Sequence, residues 1–155
     1  MANMEAEITE AIASALSNRS ERNEKARNIA ELIRKEGNYR WVGLYDVGPE
    51  MVSMIAYSGP SAPAYPEFPA TKGLTSAAVR EKKAVVVGDV RTDPRYLTAF
   101  GSTLSEIIIP VLDEKTGVVV GTIDVDSEQA NAFSLEDQKM LEECAKAAYG
   151  LWTSY

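Results

Sequence analysis

Ser105-Glu106-Ile107-Ile108-Ile109-Pro110-Val111, then Asp113-Glu114-Lys115-Thr116-Gly117, then Gly121-Thr122-Ile123-Asp124-Val125-Asp126-Ser127 is the stretch that decides the fold. Residues 104–112 and 118–126 are rich in isoleucine and valine, as strands are, and a short polar loop ending in glycine joins them. Two strands so joined form a hairpin, and a hairpin implies an antiparallel sheet. Three carboxylates interrupt the apolar runs. Asp124 and Asp126 are two residues apart, so both project from one face of the sheet, while Ile123 and Val125 project from the other. Glu106 joins the two aspartates if the strands pair around the loop at 113–117. Converging carboxylates repel one another and raise each other's pKa unless a cation lies among them. The competing reading is a solvated sheet face carrying ordinary acids.

The rest of the chain supplies the other layers. Residues 5–36 contain no proline or glycine and read as two helices with a joint near Ser17-Asn18. Ser20 is the expected cap of the second and Gly37-Asn38 its end. Residues 39–47 and 51–58 read as a second hairpin around Gly48-Pro49-Glu50. Residues 59–71, with four prolines, read as a loop beside the sheet. Residues 73–83 read as a short helix and 84–87 as a short apolar strand. Residues 88–101 read as mostly loop, with one helical turn begun by Asp93-Pro94. Phe133-Ser134-Leu135-Glu136-Asp137 opens a last helix capped by Ser134, with Leu135, Met140, Leu141, Cys144, Ala148 and Leu151 on its apolar face. This order predicts one α+β domain over 1–155: a helical segment at 1–37, then sheet, pocket loops and a C-terminal helix at 38–155. The central antiparallel sheet carries helices on one face and pocket-forming loops on the other.

Composition narrows the function. With 155 residues, 45% hydrophobic and 25% charged, the chain is expected to fold as one domain. Its net charge of −7 disfavours nucleic acid and anionic membrane as partners. One cysteine and no histidine exclude a Cys/His zinc site and a histidine-based nucleophilic triad, and no cofactor or metal is called for. The lone cysteine, with no signal peptide or membrane span expected, points to the cytoplasm. Trp41 and Tyr45 are four apart on a strand, hence on one face with Gly43 between them. They read as a pocket wall able to sit over an ammonium group, or as core aromatics. Arg91 and Arg95 read either as partners for an acidic ligand or as solvated loop charges. The apolar stripes of the helices point to a homodimer.

The hairpin at 105–127, the Phe133 to Asp137 helix start, Gly73-Leu74-Thr75, Gly88-Asp89-Val90 and Asp93-Pro94-Arg95-Tyr96 together resemble GAF domains over residues 39–149. Trp41-Val42-Gly43-Leu44-Tyr45, Ser105-Glu106-Ile107 and Asp124-Val125-Asp126-Ser127 resemble the free methionine-(R)-sulfoxide reductases, which are stand-alone GAF proteins. The resemblance implies that Glu106, Asp124 and Asp126 hold a ligand, with Trp41 and Tyr45 beside them. Reductases of this family carry cysteines where this chain has Thr75 and Ala99. Sulfoxide reduction needs an attacking thiolate and a resolving thiol, and Cys144 on a core-facing stripe reads as packing. The expectation is therefore a non-catalytic small-molecule-binding domain for an amine-bearing metabolite, with no catalytic residues; the alternative is the reductase itself.

Overall fold

The structure is a computed structural model and describes residues 4–153, with side chains from residue 6 onward. Two helices lead, α1 (Met4–Ser17) and α2 (Arg22–Gly37). Strands β1 (Trp41–Val47), β2 (Met51–Ser58) and β3 (Glu67–Pro69) follow, then helix α3 (Gly73–Glu81), strand β4 (Val85–Val87) and a 3-10 turn at Val90–Thr92. Strands β5 (Ser105–Leu112) and β6 (Val119–Ser127) form the second hairpin, and helices α4 (Leu135–Ala147) and α5 (Gly150–Thr153) end the fold. All six strands form one antiparallel sheet in the order β3-β2-β1-β6-β5-β4. The two hairpins meet where β1 pairs with β6, so both ends of the sheet sequence are stitched at its centre.

The main core lies on one face. Val42, Leu44, Ile107, Ile109, Ile123 and Val125 pack there under Ile8 and Ile12 of α1, Ile29 and Ile33 of α2, and Leu141 and Cys144 of α4. Each of these side chains is at most 3% exposed, and such burial is the dominant stabilising contribution. Polar clasps fix the helices at the margins. The Arg22 guanidinium makes a forked pair with Asp46 of β1, at 2.8 and 2.6 Å, and its Nε donates to Leu151 O at 2.9 Å. Tyr39 donates to Asp137 at 2.6 Å, and Trp152 donates through its indole N–H to Tyr45 O at 3.1 Å.

Helix α3 departs from the other helices and lies on the opposite face, with the loops. Leu74, Ala77 and Ala78 pack there against Val85, Val87, Val90 and Ile108. Local chemistry corrects two expected caps. Ser20 does not cap α2; Glu21 occupies that position with no side-chain bond, because Ser20 is taken up by Asn18, whose Oδ1 accepts from Ser20 N and Oγ at 3.2 and 3.0 Å. The helical turn in the 88–101 segment begins earlier than Asp93-Pro94. Asp89 starts it, accepting from Arg91 N at 3.0 Å, while Asp93 makes a separate turn by accepting from Arg95 N at 2.9 Å. Three residues of the proline-rich loop, Glu67–Pro69, pair with β2 as an edge strand. Helix α2 ends as expected, with Asn38 left-handed at φ 53.

Candidate functional site

The strand register builds the site on the loop face. Glu106 stands opposite Asp126 across β5 and β6. Asp126 in turn stands opposite Trp41, and Asp124 opposite Gly43, across β6 and β1. One face therefore presents Glu106, Asp124 and Asp126 at the middle of the sheet, with Trp41 and Tyr45 on the adjoining strand. One oxygen from each of the three carboxylates lies within 4.8 Å of the others. Glu106 is 5% exposed and Asp126 2%, so the solvated-face reading does not describe them.

Tyr45, Tyr65, Phe68, Gly73, Leu74, Thr75, Leu97, Ala99, Glu106 and Asp124 enclose a cavity of about 30 Å³ between the sheet, α3 and the loop that follows the 3-10 turn. That loop closes the site from above. Thr103 on it donates to Asp126 Oδ2 at 3.1 Å, and Ala99 O accepts from Ala64 N at 3.1 Å. Leu97 packs on Gly73, where a Cβ would come within 3.3 Å of it; Gly73 also has a φ of +76, which favours glycine.

Trp41 is not among the residues bounding this cavity. The room beside Gly43 is filled by the neighbouring rings: a Cβ there would overlap the Trp41 indole and lie 3.0 Å from Tyr45 Cε1. Trp41 stacks on Tyr57 at 5.9 Å, meets Phe100 edge-on at 5.2 Å and donates to Ser61 O at 3.0 Å. It buttresses the site from the side. Tyr45 does face the cavity, packed against Phe68 at 6.0 Å. The guanidinium groups of Arg91 and Arg95 are held by Asp89 and Asp93, each at hydrogen-bond distance, on the exposed surface.

Burial and mutual repulsion set the charge state. Burial, then the charges of Asp124 and Asp126, push Glu106 well above the usual carboxylate range. Asp124 is raised by burial and by Asp126. Asp126 is pushed up to about 6, chiefly by burial, with hydrogen bonds from Glu106 and Thr103 opposing the rise. Tyr45 is raised by burial and the three acids, and Tyr96 is pushed up to about 12 by burial and by Glu106 and Asp126. The described residues contain no ion pair that reaches these carboxylates. Asp124 Oδ1, Asp126 Oδ1 and Thr122 Oγ1 are buried and meet no hydrogen-bond donor from outside the acidic cluster. Such an arrangement retains protons or accepts a cation.

Sequence reasoning missed Thr103, Tyr96 and Leu97, which come from a loop with no periodic signal. Cys144 is fully buried in the opposite core, with Sγ 3.5 Å from Met140 Sδ. The sheet separates it from the cavity.

A curled antiparallel sheet, backed by helices and closed over buried acids by loops, defines a small-molecule-binding class of α+β domain. The chain belongs to the GAF domain family: the family model described as GAF domain matches residues 21–149. It is 30% identical over 120 residues to GAF domain-containing protein A of Dictyostelium discoideum, covering 77% of this chain and 73% of that protein. Among solved structures it is similar to the type II free methionine-R-sulfoxide reductase of Thermoplasma acidophilum. That likeness has a TM-score of 0.78, 32% identity and coverage of 87% of this chain and 97% of that one. It is also similar to the free methionine-R-sulfoxide reductase of Neisseria meningitidis in complex with its substrate, with a TM-score of 0.84, 25% identity and coverage of 99% and 93%. Among the described residues, no helix is long and apolar enough to cross a membrane.

Proposed function

We propose that this GAF domain binds a small amine-bearing metabolite and performs no redox chemistry on it. The observation that carries this reading is the gathering of Glu106, Asp124 and Asp126 within 4.8 Å on one sheet face, Glu106 and Asp124 bordering a partly aromatic cavity, with no lysine or arginine of the described residues ion-paired to any of the three. An ammonium group satisfies such a cluster by donating to its oxygens and offsetting its charge. Tyr45 forms the apolar wall, and Trp41 holds the neighbouring loop through Phe100. Thr75 and Ala99, which stand where the resembled reductases carry cysteines, both border the cavity and offer no thiolate. A metabolite is larger than the enclosed 30 Å³, so binding lifts the 96–104 loop.

The reductase reading is favoured by one observation, the 32% identity to the Thermoplasma acidophilum enzyme. Incubating the protein with free methionine sulfoxide and a dithiol reductant separates the two. The binding reading predicts no methionine above the protein-free control, and predicts that Cys144→Ala leaves ligand affinity unchanged. Sustained turnover contradicts it.

This reading places the protein in the cytoplasm, as a homodimer, with neither nucleic acid nor anionic membrane as partner. The apolar stripes of α1 and α2 are already covered within one chain, Ile8, Ile12, Ile29 and Ile33 being 0–3% exposed. The dimer therefore joins other helical surfaces, and a monomer mass by light scattering at high concentration refutes it.

A further inference from the structure

We propose that the Glu106, Asp124 and Asp126 cluster is also a divalent-cation site, for a hard ion of the Mg²⁺, Mn²⁺ or Ca²⁺ class. This rests on the reading of the pocket as a site for positive charge, and adds a second class of occupant. Four observations converge on it. The donor set is all oxygen, three carboxylates with no imidazole or thiolate, which is the set hard cations take. The spacing fits: metal–oxygen distances of about 2.0 to 2.6 Å put oxygens on opposite sides of one ion about 4 to 5 Å apart, and these lie within 4.8 Å of one another.

The third observation is burial and orientation. Asp126 is 2% exposed, its Oδ2 is held by Thr103 at 3.1 Å, and its Oδ1 meets no donor from outside the acidic cluster. One oxygen is oriented and the other is left for a ligand, as outer-shell partners do for metal-binding carboxylates. Asp124 Oδ1 and Thr122 Oγ1 are likewise buried and meet no such donor, and residues 122, 124 and 126 share one face of β6. The fourth is size. Glu106 and Asp124, though not Asp126, border a cavity of about 30 Å³ that admits one or two water-sized occupants, so an ion enters beside them with the covering loop as it stands, whereas a metabolite does not.

The test is titration of Mn²⁺ into chelator-treated protein, read by the loss of the free Mn²⁺ spin-resonance signal, with circular dichroism confirming that each variant is folded. The proposal expects one saturable site in the wild-type chain, lost in Asp126→Asn and in Glu106→Gln. It expects Thr103→Val to weaken the site about tenfold, because the carboxylate is then no longer oriented. Absence of saturable binding, or binding unchanged in both carboxylate variants, overturns it. Methylammonium and methionine sulfoxide are titrated in parallel into the same chelated protein. If they fail to bind while Mn²⁺ binds through the carboxylates, the amine reading falls and the metal site stands. If they bind and Mn²⁺ does not, the metal site falls and the amine reading stands.

Discussion

Asp124 shows what a single residue carries here. Its Oδ1 is buried and meets no donor from outside the acidic cluster, and burial and Asp126 both disfavour its charge. In metal-free, ligand-free protein, Asp124→Asn is therefore expected to be neutral or stabilising. Chemical denaturation of the two proteins checks this, and a loss above about 1 kcal/mol would sink it. At this scale the sequence was readable where the two-residue period governs. Asp124 and Asp126 share a face by the two-residue period, and Glu106 joins them because a register shift between Val111 and Leu112 sets it opposite Asp126. Trp41 was less readable, because strand parity names a face and not what fills it. The Trp41 and Tyr45 rings close over Gly43 and fill the space that its missing side chain leaves. Thr103 was hidden because its partner, Asp126, lies 23 residues away across a loop without repeat.

Elements were legible in proportion to their local signals. Ser134 caps α4 in a full capping box: its Oγ accepts from Asp137 N at 3.1 Å, and Asp137 accepts from Ser134 N at 2.8 Å. The Ser134 and Asp137 spacing announces this in the sequence. Because the same helix supplies Leu141 and Cys144 to the core, Ser134→Ala is expected to cost about 1 kcal/mol. A thermal midpoint unchanged within error would contradict that role. Strand β3 was illegible because its three residues sit among prolines, and only pairing with β2 makes them a strand. The side taken by α3 was illegible too. Its apolar stripe of Leu74, Ala77 and Ala78 is short, and the partners that choose its face, Val85, Val87 and Ile108, become a surface only when β4 joins β5. Ser20 misled because a nearby asparagine competes for it, a contest between two local bonds that spacing does not decide.

For the molecule as a whole, the buried acids predict an inverted response to pH. Asp126 has a folded pKa of about 6 against an ordinary 3.8, so the native state holds its proton more tightly than the unfolded chain. Its contribution to stability is complete below about 3.8 and is lost as pH rises through 6, a fall of about 3 kcal/mol at roughly 1.4 per unit. Glu106 and Asp124, also raised, extend the loss to higher pH. Asp113, held at about 2 by hydrogen bonds from Thr116 and Tyr149, works oppositely, but only below about pH 4. The chain has no histidine to mask the effect between pH 5 and 8. Metal-free protein is therefore expected to melt at higher temperature at pH 5 than at pH 8, by calorimetry, and the Asp126→Asn variant is expected to narrow that difference. A midpoint that rises from pH 5 to pH 8 would contradict the placement of these carboxylates in a dry site.

The central claim is that three clustered carboxylates, two of them buried and one half-buried, make this GAF domain a receptor for positive charge. The most direct measurement is a thermal-shift series at pH 7 in chelated buffer, setting small amines and amino acids, methionine sulfoxide included, against carboxylic acids and phosphates that lack an amine. The account predicts that one or more amine-bearing compounds raise the unfolding temperature of the wild-type chain. It also predicts that Asp126→Asn abolishes the rise, because removing one partner of a desolvated charge pair costs about 2 kcal/mol or more of binding. Stabilisation by the anions alone, or by amines equally in the wild-type and Asp126→Asn proteins, would contradict it.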